Sequence, residues 1–97
     1  MIYTISVDPA TSKAMMDRHP YKKDSGWSVA VLSTRYLHER NGVKVMVEVF
    51  TEASREQGIN RGLDYVFVTF GDGVDIKDTM KEFGIPESPG SFISKDS

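Results

Sequence analysis

Apolar and polar residues alternate from the first positions of the chain, Ile2-Tyr3-Thr4-Ile5-Ser6-Val7, a period of two that predicts a strand with Tyr3, Ile5 and Val7 on its buried face. Asp8-Pro9 then changes the period. An aspartate cap followed by proline at the first helical position favours a helix, and His19-Pro20 ends it, so residues 9–18 are read as helical. The apolar side chains of that helix, Ala10, Ala14, Met15 and Met16, are poorly sorted around its axis. Residues 20–26, rich in Lys, Asp, Ser and Gly, read as a solvated loop.

Asn41-Gly42 separates two β-rich runs and suits a tight type I′ hairpin. That turn pairs Arg40 with Val43, Glu39 with Lys44, Tyr36 with Val47 and Arg35 with Glu48, which sets opposite charges across from each other on one face. Ala30, Leu32, Tyr36, Val43, Val45, Val47 and Val49 then share the core face. Farther from the turn, Trp27, Val29, Val31, Met46 and Phe50 make the second face apolar too. A helix, a partner or a second copy of the chain is expected to cover that base.

Residues 51–62 hold little apolar content and read as a short helix or a long loop. Leu63 to Phe70 is apolar on both faces, as a central strand is. Gly71-Asp72-Gly73 turns the chain into a helix over 74–83, stopped by Gly84-Ile85-Pro86. On that helix Ile76, Met80 and Phe83 form one stripe, while Asp75, Asp78 and Glu82 form a separate carboxylate row. Ser91 to Ser94 offers a short edge strand within residues 88–97, a partly flexible tail. The order implies one α+β domain over 1–97: a mainly antiparallel sheet of about four strands with two to three helices on one face. A ferredoxin-like arrangement fits the first six elements.

Composition narrows the function classes. The 97 residues are 39% hydrophobic and 27% charged, ordinary for a globular domain, and no apolar run approaches the length of a bilayer span. No secretory leader is visible at the N-terminus, so a cytoplasmic protein is expected. The absence of cysteine removes thiolate chemistry, and His19 and His38 lie in different segments, so no metal and no cofactor is expected. None of the spacing-coded enzyme motifs occurs; a small ferredoxin-like enzyme with catalytic carboxylates has no residue-level support. The net charge of −2 is unevenly placed. Residues 1–63 carry nine Lys/Arg against seven Asp/Glu, and residues 64–97 carry three against seven. An acidic C-terminal third favours a basic partner over direct nucleic-acid binding.

Two residue sets stand out. Asp72, Asp75, Asp78 and Glu82, with Asp64 as an outlying member, make a row whose helical spacing of about 5–6 Å approaches that of backbone phosphates, suited to a Lys/Arg groove. A solvated helix face with acids near its positive end explains the same letters. The second set is Tyr65-Val66-Phe67-Val68-Thr69-Phe70-Gly71-Asp72, which resembles the aromatic strand motif of the RNA recognition motif family. Ile2-Tyr3-Thr4-Ile5 resembles its other motif. That resemblance implies Tyr3, Tyr65 and Phe67 as base-stacking rings. Leu63, Asp64 and Val66 depart from the family's basic, glycine and small positions, and a buried aromatic strand accounts for the same residues.

In size, charge character and lack of motifs, the chain resembles small inhibitors encoded by phages and prophages, including anti-CRISPR proteins that block a DNA-binding surface. The likeness is one of general character and transfers no residue. It implies a non-enzymatic nucleic-acid mimic facing a basic groove on a protein partner.

Overall fold

The computed structural model describes residues 2–24, 33–58, 60–86 and 92–95. The elements run β1 (Ile2–Val7), α1 (Pro9–Arg18), β2 (Lys22–Lys23), β3 (Ser33–Arg40), β4 (Val43–Phe50), α2 (Glu52–Glu56), a 3-10 turn at Asn60–Gly62, β5 (Asp64–Phe70), α3 (Ile76–Phe83) and β6 (Phe92–Lys95). The α+β class and the antiparallel sheet are as expected. The sheet is larger than four strands, however: six take part, in the order β2-β3-β4-β5-β1-β6, with every neighbouring pair antiparallel. Lys22 and Lys23, expected in a loop, form β2 by pairing with Leu37 and Tyr36. Trp27, Val29, Ala30, Val31 and Leu32 lie outside the described residues.

The strand order is not ferredoxin-like. That arrangement needs a crossover after the hairpin, and a crossover between parallel strands takes a dozen or more residues built around a substantial helix. Here the link holds only the five-residue α2 and the 3-10 turn. β5 therefore returns beside β4, as the third strand of an antiparallel meander, and β1 pairs with its far edge.

The hairpin register is the one the turn dictates: Arg40 faces Val43, Glu39 faces Lys44, Tyr36 faces Val47 and Arg35 faces Glu48. Asn41 and Gly42 both have positive φ, 50° and 78°, as a type I′ turn requires. Across the sheet one face then carries Ile5, Val7, Val43, Val45, Val47, Val66, Val68 and Phe70, all buried. Met15 of α1, Met80 and Phe83 of α3, and Ile85 close over it in a single cluster. The poor sorting of α1 has a simple outcome. Only Ser12 and Met15 of that helix are buried, while Ala14 stays exposed.

α3 starts at Ile76, two residues later than expected, because Asp75 is its cap and accepts a hydrogen bond from the Asp78 amide at 2.9 Å. It ends at Gly84 (φ 69°), with Gly84 N donating to Lys81 O and Ile85 N to Met80 O, and buried Ile85 packs with Met80 in the same cluster. Burial of Met80 and Phe83 stabilises this docking by about 1.5–3 kcal/mol each. The loop before α3 is fixed by close approach. A Cβ on Gly71 would come within 2.7 Å of the Gly42 carbonyl oxygen, so β5 hands the chain to α3 directly against the hairpin turn. Leu63, expected inside β5, lies just before it and is 38% exposed.

Candidate functional site

α3 sorts its charges about the buried stripe. At 100° per residue Asp75, Asp78 and Glu82 fall on one flank of Met80 and Phe83, and Lys77 and Lys81 fall on the other; all five are exposed. Asp72 is exposed at the turn that feeds the helix. Among the described residues Asp72, Asp75 and Asp78 form no ion pair. Glu82 does: Arg40 of β3 reaches it at 2.7 Å, a half-exposed pair worth little in stability but enough to neutralise that end of the row. The sequence showed the row but not Arg40, which comes from a different hairpin.

Asp64 does not belong to the acidic display. It is 0% exposed, on the core face at the start of β5. Its carboxylate accepts from Ser12 Oγ at 2.5 Å, from the Phe50 amide at 3.1 Å and from Arg55, so one side chain joins α1, β4, α2 and β5. A buried charge persists only when paired and hydrogen-bonded, and this one is both.

The ring platform implied by the RNA-recognition resemblance is not assembled. Tyr3 pairs in register with Val68, places its side chain on the helix-covered face and meets Phe70 edge-on with centroids 5.3 Å apart. Tyr65 and Phe67 lie on the opposite face, where Phe50 joins them: Phe50 and Tyr65 are 5.8 Å apart, Tyr65 and Phe67 6.4 Å. Leu37, Met46 and Phe67 continue one row across β3, β4 and β5, all half-buried, and the core packing of α1 and α3 is entirely on the other side.

The fold also assembles a cluster the sequence hid. His19 follows α1, Tyr21 precedes β2, His38 sits on β3 and Phe83 ends α3; their rings meet at 4.6–6.3 Å, with His19 and His38 stacked at 5.4 Å. Nε2 of His19, Nε2 of His38 and the Tyr21 hydroxyl are buried without a hydrogen-bond partner among the described residues. Burial holds His19 below the ordinary imidazole range, helped by the neighbouring His38, Arg18 and Arg40. The backbone carbonyl of Glu82, accepting from the ring, works the other way. Burial also pushes the Tyr21 phenol up. The two histidines are separated by eighteen positions and a turn, so no spacing rule could have joined them. Beside His38 a cleft of about 470 Å³ is lined by Pro20, Lys22, Lys23, Asp24, Leu37 and Glu39, a balanced set of charges. The described residues hold no group of three or more His, Asp or Glu able to share a metal ion, and no described helix is long and apolar enough to cross a membrane.

The class these features define is a two-layer α+β domain, helices on one face of an antiparallel meander extended by β1 and β6. Comparison with family models, with curated proteins and with solved structures finds no match.

Proposed function

We propose that this protein is a non-enzymatic binding domain that occupies the basic, nucleic-acid-binding surface of a partner protein. The observation that supports it is the separation of charge on α3. Asp75 and Asp78 lie exposed on one flank, and Asp72 at the turn that feeds it, without an ion pair among the described residues, on a helix anchored to the core by Met80 and Phe83. Carboxylates held by a packed frame give up little freedom on binding. Arg and Lys side chains of a phosphate-binding groove would meet them with charge-assisted hydrogen bonds. Glu82 contributes less than the sequence suggests, because binding through it would first displace Arg40. An inhibitor of the phage-encoded kind would use such a face to exclude DNA or RNA by competition.

The test is capture of partners from nuclease-treated lysate, followed by displacement with duplex DNA and with salt. The variant that matters carries Asp72→Asn, Asp75→Asn and Asp78→Asn together. Asparagine keeps the helix cap, so charge is removed with the fold intact. A specific partner should be displaced by DNA and should bind the variant at least about tenfold more weakly, given about 1.5–3 kcal/mol per hydrogen bond to a charged group. Equal binding by the variant, with unchanged salt dependence, rejects this reading.

A further inference from the structure

The face of the sheet that no described helix covers carries a charge pattern on β3 and β4 that matches itself. Leu37, Met46 and Phe67 form a central row across β3, β4 and β5. Two residues away on one side the row is Glu39, Lys44, Thr69; two residues away on the other it is Arg35, Glu48, Tyr65. Within one copy Arg35 and Glu48 pair at 3.1 Å, whereas Glu39 and Lys44 are exposed and, among the described residues, make no ion pair although they sit opposite each other. The four charges of β3 and β4 sum to zero, and exposed Lys22 of β2, in register with Leu37, adds one positive charge at the end of the central row; this face still repels a copy of itself less than the acidic flank of α3 would.

We propose that a second copy of this chain packs on this face about a two-fold axis running along the Leu37–Met46–Phe67 row. Rotation about that axis preserves position along the row and exchanges its two sides. Glu39 then faces Arg35 of the second copy, Lys44 faces Glu48 of the second copy, and each contact occurs twice. The apolar part of the row meets its own image and is withdrawn from water, while exposed Lys22 at the β2 end of the row meets Lys22 of the second copy at the solvated rim. An axis along the strands would instead set the charges of β3 against Thr69 and Tyr65 of β5, with no ionic match. Aligned packing of two sheets, within about 30° and about 10 Å apart, leaves long charged side chains in reach of these partners. Three strands at about 4.8 Å and some six residues at about 3.3 Å make a patch of modest extent. The dimer is accordingly concentration-dependent rather than permanent. α3 lies on the opposite face, so its acidic flank stays open in the dimer and the inference does not depend on the proposed partner.

Analytical ultracentrifugation of the full chain over a wide concentration range tests the arrangement. The wild type should show a monomer–dimer equilibrium, and Lys44→Glu, which sets like charges opposite each other twice, should weaken it by about tenfold or more. Glu48→Lys alone should do the same. An equimolar mixture of the Lys44→Glu and Glu48→Lys chains should dimerise again, because each charge then faces its opposite. Should Glu48→Lys fail to fold, Glu39→Lys replaces it as a second exposed, repulsive variant with the same expected loss. A wild type that stays monomeric throughout overturns the proposal, as does a dimer indifferent to Lys44→Glu or a mixture with no recovery.

Discussion

Two polar clusters are buried on the covered face of this sheet, one near each end of α1, and they are built on opposite principles. At the first, every element brings Asp64 a donor: Ser12 from α1, the Phe50 amide from β4, Arg55 from α2. At the second, His19, Tyr21 and His38 crowd around Phe83 with three polar atoms left without partners. An amide or hydroxyl taken from water without compensation costs about 1–3 kcal/mol, and a charge far more. The carboxylate is therefore where the fold concentrates its donors, although Arg55 Nε and the Ser54 hydroxyl beside it are buried without a partner among the described residues, while rings with a large apolar body tolerate an open valence. Asp64 acts as a joint between elements; the histidine cluster acts as apolar filler with polar edges.

Removing the joint should have the largest effect. Asp64→Ala strands the Arg55 guanidinium, whose side chain is 15% exposed, together with the Phe50 amide, and a broken buried pair costs about 3–5 kcal/mol. For a domain of this size that lowers the melting temperature by more than about 10 °C, read by thermal denaturation. Combining Asp64→Leu with Arg55→Leu should recover much of the loss, since apolar side chains replace both charges at once. If the double variant is no more stable than Asp64→Ala, the joint is held by something other than charge pairing.

Ser12→Ala sharpens the same point at smaller scale. It removes one donor of three and leaves Arg55 and the Phe50 amide on the carboxylate, so a loss of about 1–2 kcal/mol is expected in urea titration. At the other cluster the sign should differ. His38→Phe fills the same space and removes an unpartnered buried nitrogen, so stability should be unchanged or higher by up to about 1 kcal/mol. A fall beyond about 2 kcal/mol would show that a bound water or small ligand normally satisfies His38.

Sequence pattern reached the hairpin register and the faces of α3 because each depends on local rules: a turn with two positive φ values, and 100° per residue. It missed the strand order because the connection between β4 and β5 carries no periodic signal, and the smallness of its helix matters only once a partner strand is chosen. Alternation put Tyr3 on the buried face, where it lies, whereas the RNA-recognition resemblance grouped it with Tyr65 and Phe67 of the other face, and Asp64 was misassigned to the acidic row. Alternation alone places a residue on one of two faces, and which face the helices cover is a tertiary decision. The acidic row was legible residue by residue, yet the neutralisation of Glu82 by Arg40 joins elements forty-two positions apart. Sequence separation also hid the His19–Tyr21–His38 cluster, whose two histidines lie in different segments and whose members carry no motif at all.

The smallest expected effect separates the two clusters by pH. His19 is held neutral by burial, by His38 and by the cations Arg18 and Arg40, so its folded pKa lies below the unfolded value of about 6.5. Below that value the unfolded chain binds a proton that the folded chain refuses. Stability is then complete above about pH 6.5 and declines as pH falls toward the folded pKa, the opposite of a histidine stabilised by a carboxylate. Glu82 does not reverse this, because Arg40 holds its carboxylate while the histidine ring meets only its backbone carbonyl. Measured by urea titration between pH 7 and the onset of carboxylate protonation near about pH 5, the wild type should lose stability gradually. His19→Phe should flatten that slope and leave the effect of Asp64→Ala intact. A slope that survives His19→Phe would move the acid sensitivity to another group and show that the open cluster is satisfied after all.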